Sequence, residues 1–368
     1  MTTIVHFADL HLDTPFRWAG HEFAAQRRRD LRDTLDAIVQ LAVDVGADAL
    51  FCGGDLYEHE MTAPDTAEVI RSAFERLHPV PVLVAPGNHD HLSPRSLYAL
   101  TTWSPNVHLF RQSRPEPFEL AEGLTVWGAA HLVPANTPNL LDGFRIDRSG
   151  VNIGLLHASL SSGLPFQEDG KQPHAPFDER DVEAAGLDHA FLGHFHRPVD
   201  RDRLTYPGNP EPLTFGEDGE RGVVIARVHD DGRVTRERRG VSKRQVHDVV
   251  VTLDGCASDQ EIRQRVSTAL VGHSGIARVT LRGEVAPDVP LDLPDLRELA
   301  PHLDHVVGRF GDVRITYDID LIAGETGTVR GQFVRDVLDD PSLDDEIRRR
   351  VLITGLRALD GRSDLEVH

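Results

Sequence analysis

Five short segments place aspartate, asparagine or histidine directly after an apolar run. In chain order they are DLH with Asp9 and His11, GGD with Asp55, GNHD with Asn88 and His89, LLH with His157, and GHFH with His194 and His196. Residues i and i+2 of an extended chain project to the same side, so Asp9 with His11, and His194 with His196, can each aim two side chains at one point. The spacing predicts a metal centre assembled from several strand ends.

The ligand types narrow the choice of metal. Carboxylate, amide oxygen and imidazole together suit a divalent ion such as manganese, iron or zinc better than calcium, which favours oxygen ligands alone. Even without His89, seven candidate ligands are too many for one tetrahedral site, but they suffice for two ions that share a carboxylate. Two ions about 3.5 to 4 Å apart form the clamp that hydrolyses phosphate esters. Each histidine taken alone would more often be a packed or surface residue, so the prediction depends on the whole series.

The segments that must position these residues alternate between strands and helices. The apolar runs before the polar clusters are typical of buried strands. Between the first two runs lies an amphipathic helix, with apolar positions Leu31, Leu35, Ile38, Ala42 and Val45, and a second helix is predicted over 65–77. This alternation predicts an α/β layered architecture with its site at the carboxyl ends of the strands.

A second, smaller unit is predicted after a hairpin that turns at Asp230, Asp231 and Gly232. Its strands and helices alternate in βαβαβ-like order, with a helix that begins at Ser258 and a capping box that Glu261 completes. The predicted division of the chain is 1–243 for the first domain, 244–325 for a capping domain and 326–368 for a C-terminal helical segment.

The C-terminal segment is predicted to form two short helices separated around 339–341. The first of them carries an apolar stripe of Phe333, Val334, Val337 and Leu338. Such a stripe either docks on the coiled coil of a partner or packs onto the capping domain. The sequence leaves both alternatives open.

Composition excludes several classes of protein. The chain has 368 residues, 40% of them hydrophobic, and no apolar run approaches the ~20 residues that a membrane span needs. The start, MTTIVHFADLHL, has no basic region followed by a cleavage site, so a cytoplasmic location without membrane attachment is expected. The two cysteines, Cys52 and Cys256, form no C-x-x-C pattern, which leaves oxygen and nitrogen as metal ligands.

The net charge of -20 argues against a surface that is basic all over and binds nucleic acid unaided. Basic clusters occur at 27–29, within 236–244 and at 348–350, and each taken singly is more typical of a solvated face. A site for a polyanion would therefore be local or supplied by a partner.

Taken together, the ordered motifs resemble the calcineurin-like metallophosphoesterase superfamily over residues 1 to about 230. The wider context is IVHFADLHLDTPF at the start, YPGNPEP after the histidine pair, and a small domain beyond it. This context resembles the DNA repair exonucleases of the SbcD type, nearest their YhaO-like branch. The resemblance implies a four-layer αββα sandwich, of class α/β (α+β), with a small α+β capping domain and C-terminal helices.

The resemblance also implies a role for each ligand. Asp9, His11 and His196 would hold the first ion, Asp55 would bridge, and Asn88, His157 and His194 would hold the second. A hydroxide between two cations exists at neutral pH and can attack phosphorus in line with the departing oxygen. His89 matches a position that binds no metal, and as imidazolium it would stabilise the transition state or protonate the leaving 3′-oxygen. Asp90 either orients His89 or stabilises the turn.

One loop departs from the family pattern. In many SbcD-type nucleases a histidine stands three residues after the bridging aspartate, but here that position is Glu58, and His59 follows it. His59 is therefore a candidate for substrate binding in place of that histidine. Asn209, in the segment PGN, is a second candidate, at the rim of the active site.

Three functions remain open at this point. The first is a dinuclear-metal phosphodiesterase that cuts DNA as an exonuclease, with or without endonuclease action, in DNA repair; its expected partners are DNA, an SbcC-like SMC-type ATPase subunit and a second copy in a homodimer. Its expected cofactors are two divalent ions, Mn2+ first, with Fe2+ or Zn2+ as alternatives. The second is a small-molecule or nucleotide phosphoesterase, because the metals recognise phosphate and the surroundings choose what is attached. The third is a non-catalytic scaffold, which the complete ligand set argues against.

Overall fold

The structure, a computed structural model, describes residues 1–162, 173–287, 289 and 296–361. The strands of the first unit, Met1–Val246, are β1 (Thr2–Phe7), β2 (Ala49–Cys52), β3 (Val82–Val84), β4 (Val107–Leu109), β5 (Glu116–Ala121), β6 (Leu124–Gly128), β7 (Val151–His157), β8 (His189–Gly193), β9 (Val199–Asp200), β10 (Leu204–Tyr206), β11 (Gly222–Val228) and β12 (Val234–Gly240). Its helices are α1 (His21–Asp44), α2 (Thr66–Glu75), α3 (Leu97–Leu100) and α4 (Glu179–Ala185), with a 3₁₀ turn at His59–Met61.

The first unit contains two six-stranded mixed sheets. The first sheet has the order β12-β11-β1-β2-β3-β4, in which β1 to β4 are parallel and the β11–β12 hairpin adds antiparallel strands. The second sheet has the order β5-β6-β7-β8-β10-β9, with β6, β7, β8 and β10 parallel. Helices α1 and α2 supply the crossovers that parallel pairing of β1, β2 and β3 requires.

The core lies in layers. Apolar side chains of both sheets pack between them, among them Ile4, Phe51, Phe191 and Val224, all fully buried. The outer face of the first sheet packs against α1 and α2, and the outer face of the second packs against α4 and neighbouring loops. The predicted αββα sandwich is thereby confirmed.

Helix α1 begins at His21, ten residues before Leu31, the first apolar position of the predicted helical pattern. The extra turns contain Arg27, which is fully buried and pairs through Nη1 with Asp30 at 2.9 Å and with Glu211 at 2.6 Å. One member of the basic cluster at 27–29 is therefore an interior ion-pair partner, and it does not belong to a solvated face.

The second unit, His247–His368, is built around a three-stranded sheet of order β13-β14-β15. Its elements are β13 (Val246–Thr252), α5 (Asp259–Leu270), β14 (Ile276–Val285), α6 (Leu296–Leu299), β15 (His305–Ile315), α7 (Ile319–Ala323), α8 (Val329–Leu338) and α9 (Asp345–Leu359). The predicted βαβαβ order is thus present. Ser258 caps α5 by accepting from the amide of Glu261, but the Glu261 carboxylate accepts from Ala257 and not from Ser258.

The apolar stripe of α8 is covered by α9 of the same chain. Val334 and Val337 are buried in one cluster with Leu352 and Leu356, whereas Leu338 is 40% exposed. Ile322 of α7, which lies within the predicted capping domain, belongs to the same cluster, so this packing agrees with the second of the two alternatives. None of the described helices combines the length and the apolar character that a membrane crossing requires. The domain boundaries at 243 and 325 stay predictions, and residues 362–368 of the predicted C-terminal segment lie outside the described residues.

Candidate metal centre

The register of the strands brings the five polar segments to one edge. In the first sheet Phe7 pairs with Cys52, and Cys52 with Val84, so the residues after β1, β2 and β3 meet at their carboxyl ends. In the second sheet His157 pairs with Gly193, which puts His157 beside the residues that follow β8. Both sheets therefore contribute to one cluster of side chains.

Four of the predicted ligands have left-handed backbone. The φ angles are 56° at Asp9, 51° at His11, 51° at Asp55 and 108° at His194. Such conformations cost roughly 1–3 kcal/mol each in residues other than glycine and persist only where the surroundings fix them. Hydrogen bonds do so here, since the amide of Asp9 donates to Gly54 at 3.0 Å and that of His11 to Asp55 at 2.9 Å.

Two glycines let the backbones approach closely at this edge. A Cβ at Gly54, whose φ is +94°, would lie 2.7 Å from Nδ1 of His157. A Cβ at Gly193 would overlap the carbonyl oxygen of Gly53 on the other sheet. Side chains at these positions would push the two halves of the cluster apart.

The first group of candidate ligands consists of Asp9, His11 and His196, with ligand atoms all within 4.8 Å of one another. The Nε2 atoms of the two histidines face each other at 3.2 Å. On the opposite side of each ring, Nδ1 of His11 lies 2.7 Å from Glu58 and Nδ1 of His196 lies 2.6 Å from Glu217. Because a carboxylate only accepts, it fixes the proton on Nδ1 and leaves Nε2 as the ligand atom.

The second group consists of Asp9, Asp55 and His157. Nε2 of His157 lies 3.1 Å from Oδ1 of Asn88 and 3.3 Å from Oδ2 of Asp55, while its Nδ1 donates to the Gly53 carbonyl at 2.8 Å. The same Asp55 oxygen is 3.7 Å from Nε2 of His11. Asp9 belongs to both groups, and Asp55 lies near one histidine of each, so both carboxylates have positions that fit a bridging ligand.

His194 joins the cluster through its backbone and its ring. Its amide donates to both carboxylate oxygens of Asp9, at 3.0 and 3.1 Å, and its ring centroid is 5.2 Å from that of His157. Its Nε2 is buried and has no hydrogen-bond partner among the described residues. Since buried nitrogen atoms are almost always paired, this atom fits a metal ligand.

The charges of the cluster also fit bound cations. Burial raises the pKa of Asp9, although His157 and His196 oppose this shift. Burial alone would raise the pKa of Asp55 too, but His157 and His89 hold it well below its usual range. Burial lowers the pKa of His194 and so favours the neutral ring that binds metal. Two buried carboxylates, an amide oxygen and imidazole nitrogen atoms suit divalent ions of the manganese, iron or zinc type.

His89 and Asp90 have different surroundings. The His89 side chain is 38% exposed and its Nδ1 lies 2.9 Å from Glu58, while its amide donates to Asp55. Asp90 is fully buried and accepts hydrogen bonds from three amides and from the Tyr98 hydroxyl. These contacts place Asp90 in the turn, so the alternative that it stabilises the turn is favoured and its predicted catalytic role through His89 is not supported.

The two predicted substrate-binding residues also differ. His59 is partly exposed, its amide donates to the His89 carbonyl at 3.2 Å, and its ring lies 5.0 Å from that of His91. Asn209 is fully buried, and its amide group donates to Glu217 at 2.7 Å. Because Asn209 has no exposed surface, direct contact with substrate is ruled out at this position, and the residue instead supports the carboxylate behind His196.

Sequence reasoning missed the residues that orient the histidines. Glu217 follows no apolar run and carries no motif, so only its distance to His196 identifies it. The sequence shows Glu58 as a departure from the family pattern but assigns no role to it. Burial alone would raise the pKa of each, but the bonded histidines lower both values to about 2, so both are ionised. Asp13 was likewise missed; it accepts from the amide of Ala63 at 2.9 Å and anchors the loop after Glu58.

Comparison with known proteins agrees with this geometry. Residues 2–198 match the calcineurin-like phosphoesterase family, and the chain belongs to that family. The class that fold and site define is a metal-dependent phosphoester hydrolase.

Three relatives show which proteins of this kind the chain is similar to. The chain is 28% identical to the uncharacterized metallophosphoesterase YhaO of Bacillus subtilis, over 61% of this chain and 57% of that protein. It is 27% identical to the DNA double-strand break repair protein Mre11 of Methanopyrus kandleri, over 72% of this chain and 62% of that one. It is 25% identical to the DNA double-strand break repair protein Mre11 of Halobacterium salinarum, over 94% of this chain and 88% of that one. The chain thus spans less than two thirds of the length of the first two relatives.

Proposed function

We propose that this chain is a dinuclear-metal phosphodiesterase that hydrolyses DNA, acting as an exonuclease in DNA repair with manganese as its preferred ion. The observation that carries the proposal is the convergence of two ligand groups beside His89. Two bound ions would activate a water for attack on phosphorus and neutralise charge on the phosphoryl oxygens. The proposed ligands are Asp9, His11 and His196 for the first ion, Asp55 between the two, and Asn88, His157 and His194 for the second.

His89 is the proposed proton donor. Its ring lies 4.7 Å from that of His11, centroid to centroid, and its side chain is partly exposed, so a substrate bound at the first ion could reach it. Because Glu58 holds Nδ1, the proton that His89 transfers to the leaving 3′-oxygen is the one on Nε2. His59, next to the His89 carbonyl, is proposed to contact the substrate on the same side.

The choice of DNA is supported by similarity to relatives named as DNA double-strand break repair proteins. A partner of the SMC-type ATPase class would supply the positive groove that a chain of charge -20 lacks, and a homodimer would double the available sites. Both partners are part of the proposal.

A small phosphodiester is the second candidate substrate, because several arginines in the basic clusters are occupied within the fold. Arg27 is fully buried in ion pairs, and Arg236 and Arg238 donate to backbone carbonyls of 201–207. Since non-specific DNA binding depends on free Lys and Arg, these contacts reduce the positive surface that a DNA duplex could use.

The deciding experiment compares manganese-dependent cleavage of single-stranded DNA, duplex ends and bis-p-nitrophenyl phosphate. We expect cleavage of all three, abolished by a chelator and by Asp55→Ala. His89→Gln should bind both ions and lose most turnover, whereas the exposed His78→Gln serves as the matched surface control. Cleavage of the small ester without any DNA would favour the second candidate, and full activity of Asp55→Ala would contradict the bridging assignment.

A further inference from the structure

Glu58 lies between the first ligand group and the proposed proton donor. Its Oε1 accepts from Nδ1 of His11 at 2.7 Å, and its Oε2 accepts from Nδ1 of His89 at 2.9 Å. The two imidazole rings stand edge to face, with an interplanar angle of 83°. One carboxylate therefore contacts a metal-binding histidine and a proton-transferring histidine at the same time.

The backbone holds this carboxylate in place from several directions. The amide of Glu58 donates to the carbonyl of Leu12 at 2.9 Å, next to His11 in sequence. The amide of the following residue, His59, donates to the carbonyl of His89 at 3.2 Å. The Thr62 hydroxyl donates to the Glu58 carbonyl at 3.0 Å and closes the turn. The loop is thus tied to both of the segments whose histidines its carboxylate contacts.

Glu217 provides a natural comparison within the same chain. It accepts from Nδ1 of His196 at 2.6 Å, and its second oxygen accepts from Asn209 at 2.7 Å and from the Leu213 amide at 2.6 Å. Both glutamates therefore orient one histidine of the first ligand group. Among the described contacts, Glu58 is the one that also reaches His89.

We propose that Glu58 is a positioning residue that couples the first metal position to the orientation and tautomer of His89. The inference rests on the proposed function for the role of His89 as proton donor. A carboxylate can accept from both rings at once, so the neutral ring of His11 keeps its proton on Nδ1 and presents Nε2 to a metal. The imidazolium of His89 likewise gives up its Nε2 proton and is left as the Nδ1–H tautomer that Glu58 stabilises. Glutamine of the same shape has one accepting oxygen and one donating nitrogen, so it can satisfy only one of the two histidines in this state.

The test compares Glu58→Gln, Glu217→Gln and His89→Gln, with the exposed Glu60→Gln as matched control in the same turn. Calorimetric titration measures the affinity for Mn2+ alone. Turnover of phosphodiesters with p-nitrophenolate and with poorer phenolate leaving groups measures proton donation without any DNA. Nitrogen NMR of the ring reports the His89 tautomer, and circular dichroism verifies folding.

Each variant has a distinct expected pattern. Glu58→Gln should lower the affinity for the first Mn2+ about 10–100-fold, reduce turnover more for poor leaving groups than for p-nitrophenolate, and depopulate the Nδ1–H tautomer of His89. Glu217→Gln should lower Mn2+ affinity to a similar extent and leave the sensitivity to the leaving group unchanged. His89→Gln should leave the affinity for Mn2+ unchanged and reduce turnover of esters with poor leaving groups about 10²–10⁴-fold.

The double variant Glu58→Gln, His89→Gln separates coupling from independent effects. At saturating Mn2+ it should turn over no more slowly than His89→Gln alone, because the loss through His89 has already occurred. The proposal is wrong if the losses of turnover from the two substitutions multiply in the double variant. It is also wrong if Glu58→Gln folds and binds Mn2+ with wild-type affinity. These readouts use metal and small esters only, so a failure to cleave DNA would refute the nuclease assignment and leave the result on Glu58 intact.

Discussion

Replacing Asp90 by asparagine should damage the fold and the metal centre, and not the proton transfer by His89. Oδ1 of Asp90 accepts from the amides of Gly87 at 2.6 Å and Asp55 at 3.2 Å. Its Oδ2 accepts from the amide of Leu56 at 2.8 Å and from the Tyr98 hydroxyl at 2.6 Å. An asparagine has one oxygen left for these four donors.

The cost follows from which donors lose their acceptor. The new NH2 group is least unfavourable at Oδ2, since the Tyr98 hydroxyl can rotate and accept from it. One buried donor, the Leu56 amide, then stays unpaired, which costs about 1–3 kcal/mol. The hydrogen bonds from the Gly87 and Asp55 amides remain, but their acceptor is no longer charged, which costs roughly 1 kcal/mol each. A partly compensating gain is that the neutral amide no longer repels the Asp55 carboxylate. In the wild type burial raises the pKa of Asp90, and this repulsion raises it further. We expect a net destabilisation of about 2–4 kcal/mol.

Urea unfolding in the presence of a chelator measures this loss directly, and a Mn2+ titration measures the effect on Asp55. Tyr98→Phe is the matched control: it removes one of the four donors, keeps the carboxylate, and should cost about 1–2 kcal/mol. If Asp90→Asn stayed within about 1 kcal/mol of the wild type while losing turnover as His89→Gln does, Asp90 would act through His89 and the reasoning would fail.

Three further outcomes can be measured on the isolated protein. Gly193→Ala should unfold the first unit or destabilise it by about 3 kcal/mol or more, because its Cβ overlaps the backbone of Gly53. Gly154→Ala is the control in thermal melts, since the nearest neighbour of its Cβ is the flexible end of the Leu187 side chain at 3.2 Å. Burial lowers the pKa of His189 from 6.5 to about 3. Between these two pH values the unfolded chain protonates this ring and the folded chain does not. The free energy of unfolding therefore falls as the pH drops below 6.5, by up to about 1.4 kcal/mol per pH unit. His189→Gln, which retains a partner for Thr205, should show a smaller decrease in its urea midpoint between about pH 7 and 5. Without a partner subunit the chain should bind duplex DNA weakly, and tight binding that persists at about 200 mM salt would contradict the electrostatic argument.

The sequence alone predicts most of the fold and brings the candidate ligands to one edge, because both depend on local patterns. Apolar runs that end in polar residues locate the strands, and the carboxyl ends of parallel strands must meet at one edge. Histidines such as His194 and His196, one residue apart at a strand end, are therefore recognisable without a structure. The start of α1 was missed because its first turns contain charged residues. The burial of Arg27 depends on partners such as Asp30 and the distant Glu211, which the helical pattern does not reveal.

The residues that hold the histidines could not be predicted, since their roles depend on contacts distant in sequence. Glu217 is 21 residues from His196, and Glu58 is 47 residues from His11 and 31 from His89. The sequence placed Asn209 at the rim, but its amide bonds to Glu217 and Glu211 bury it in the interior. Spacing indicates which side chains share a strand end, whereas loop packing decides which of them face a ligand.

Because each candidate ligand group takes residues from both sheets, the distance between the sheets helps to set the distances within the candidate metal centre. Asp55 comes from the first sheet and His157 from the second, and between the sheets Phe51 meets Phe191 edge to face with centroids 5.6 Å apart. A change in the size of either ring would alter the distances between the candidate ligands without replacing any of them. Preference among ions of different radius can therefore evolve through the hydrophobic interior, and an engineer seeking a new metal specificity should vary this apolar layer together with the ligands.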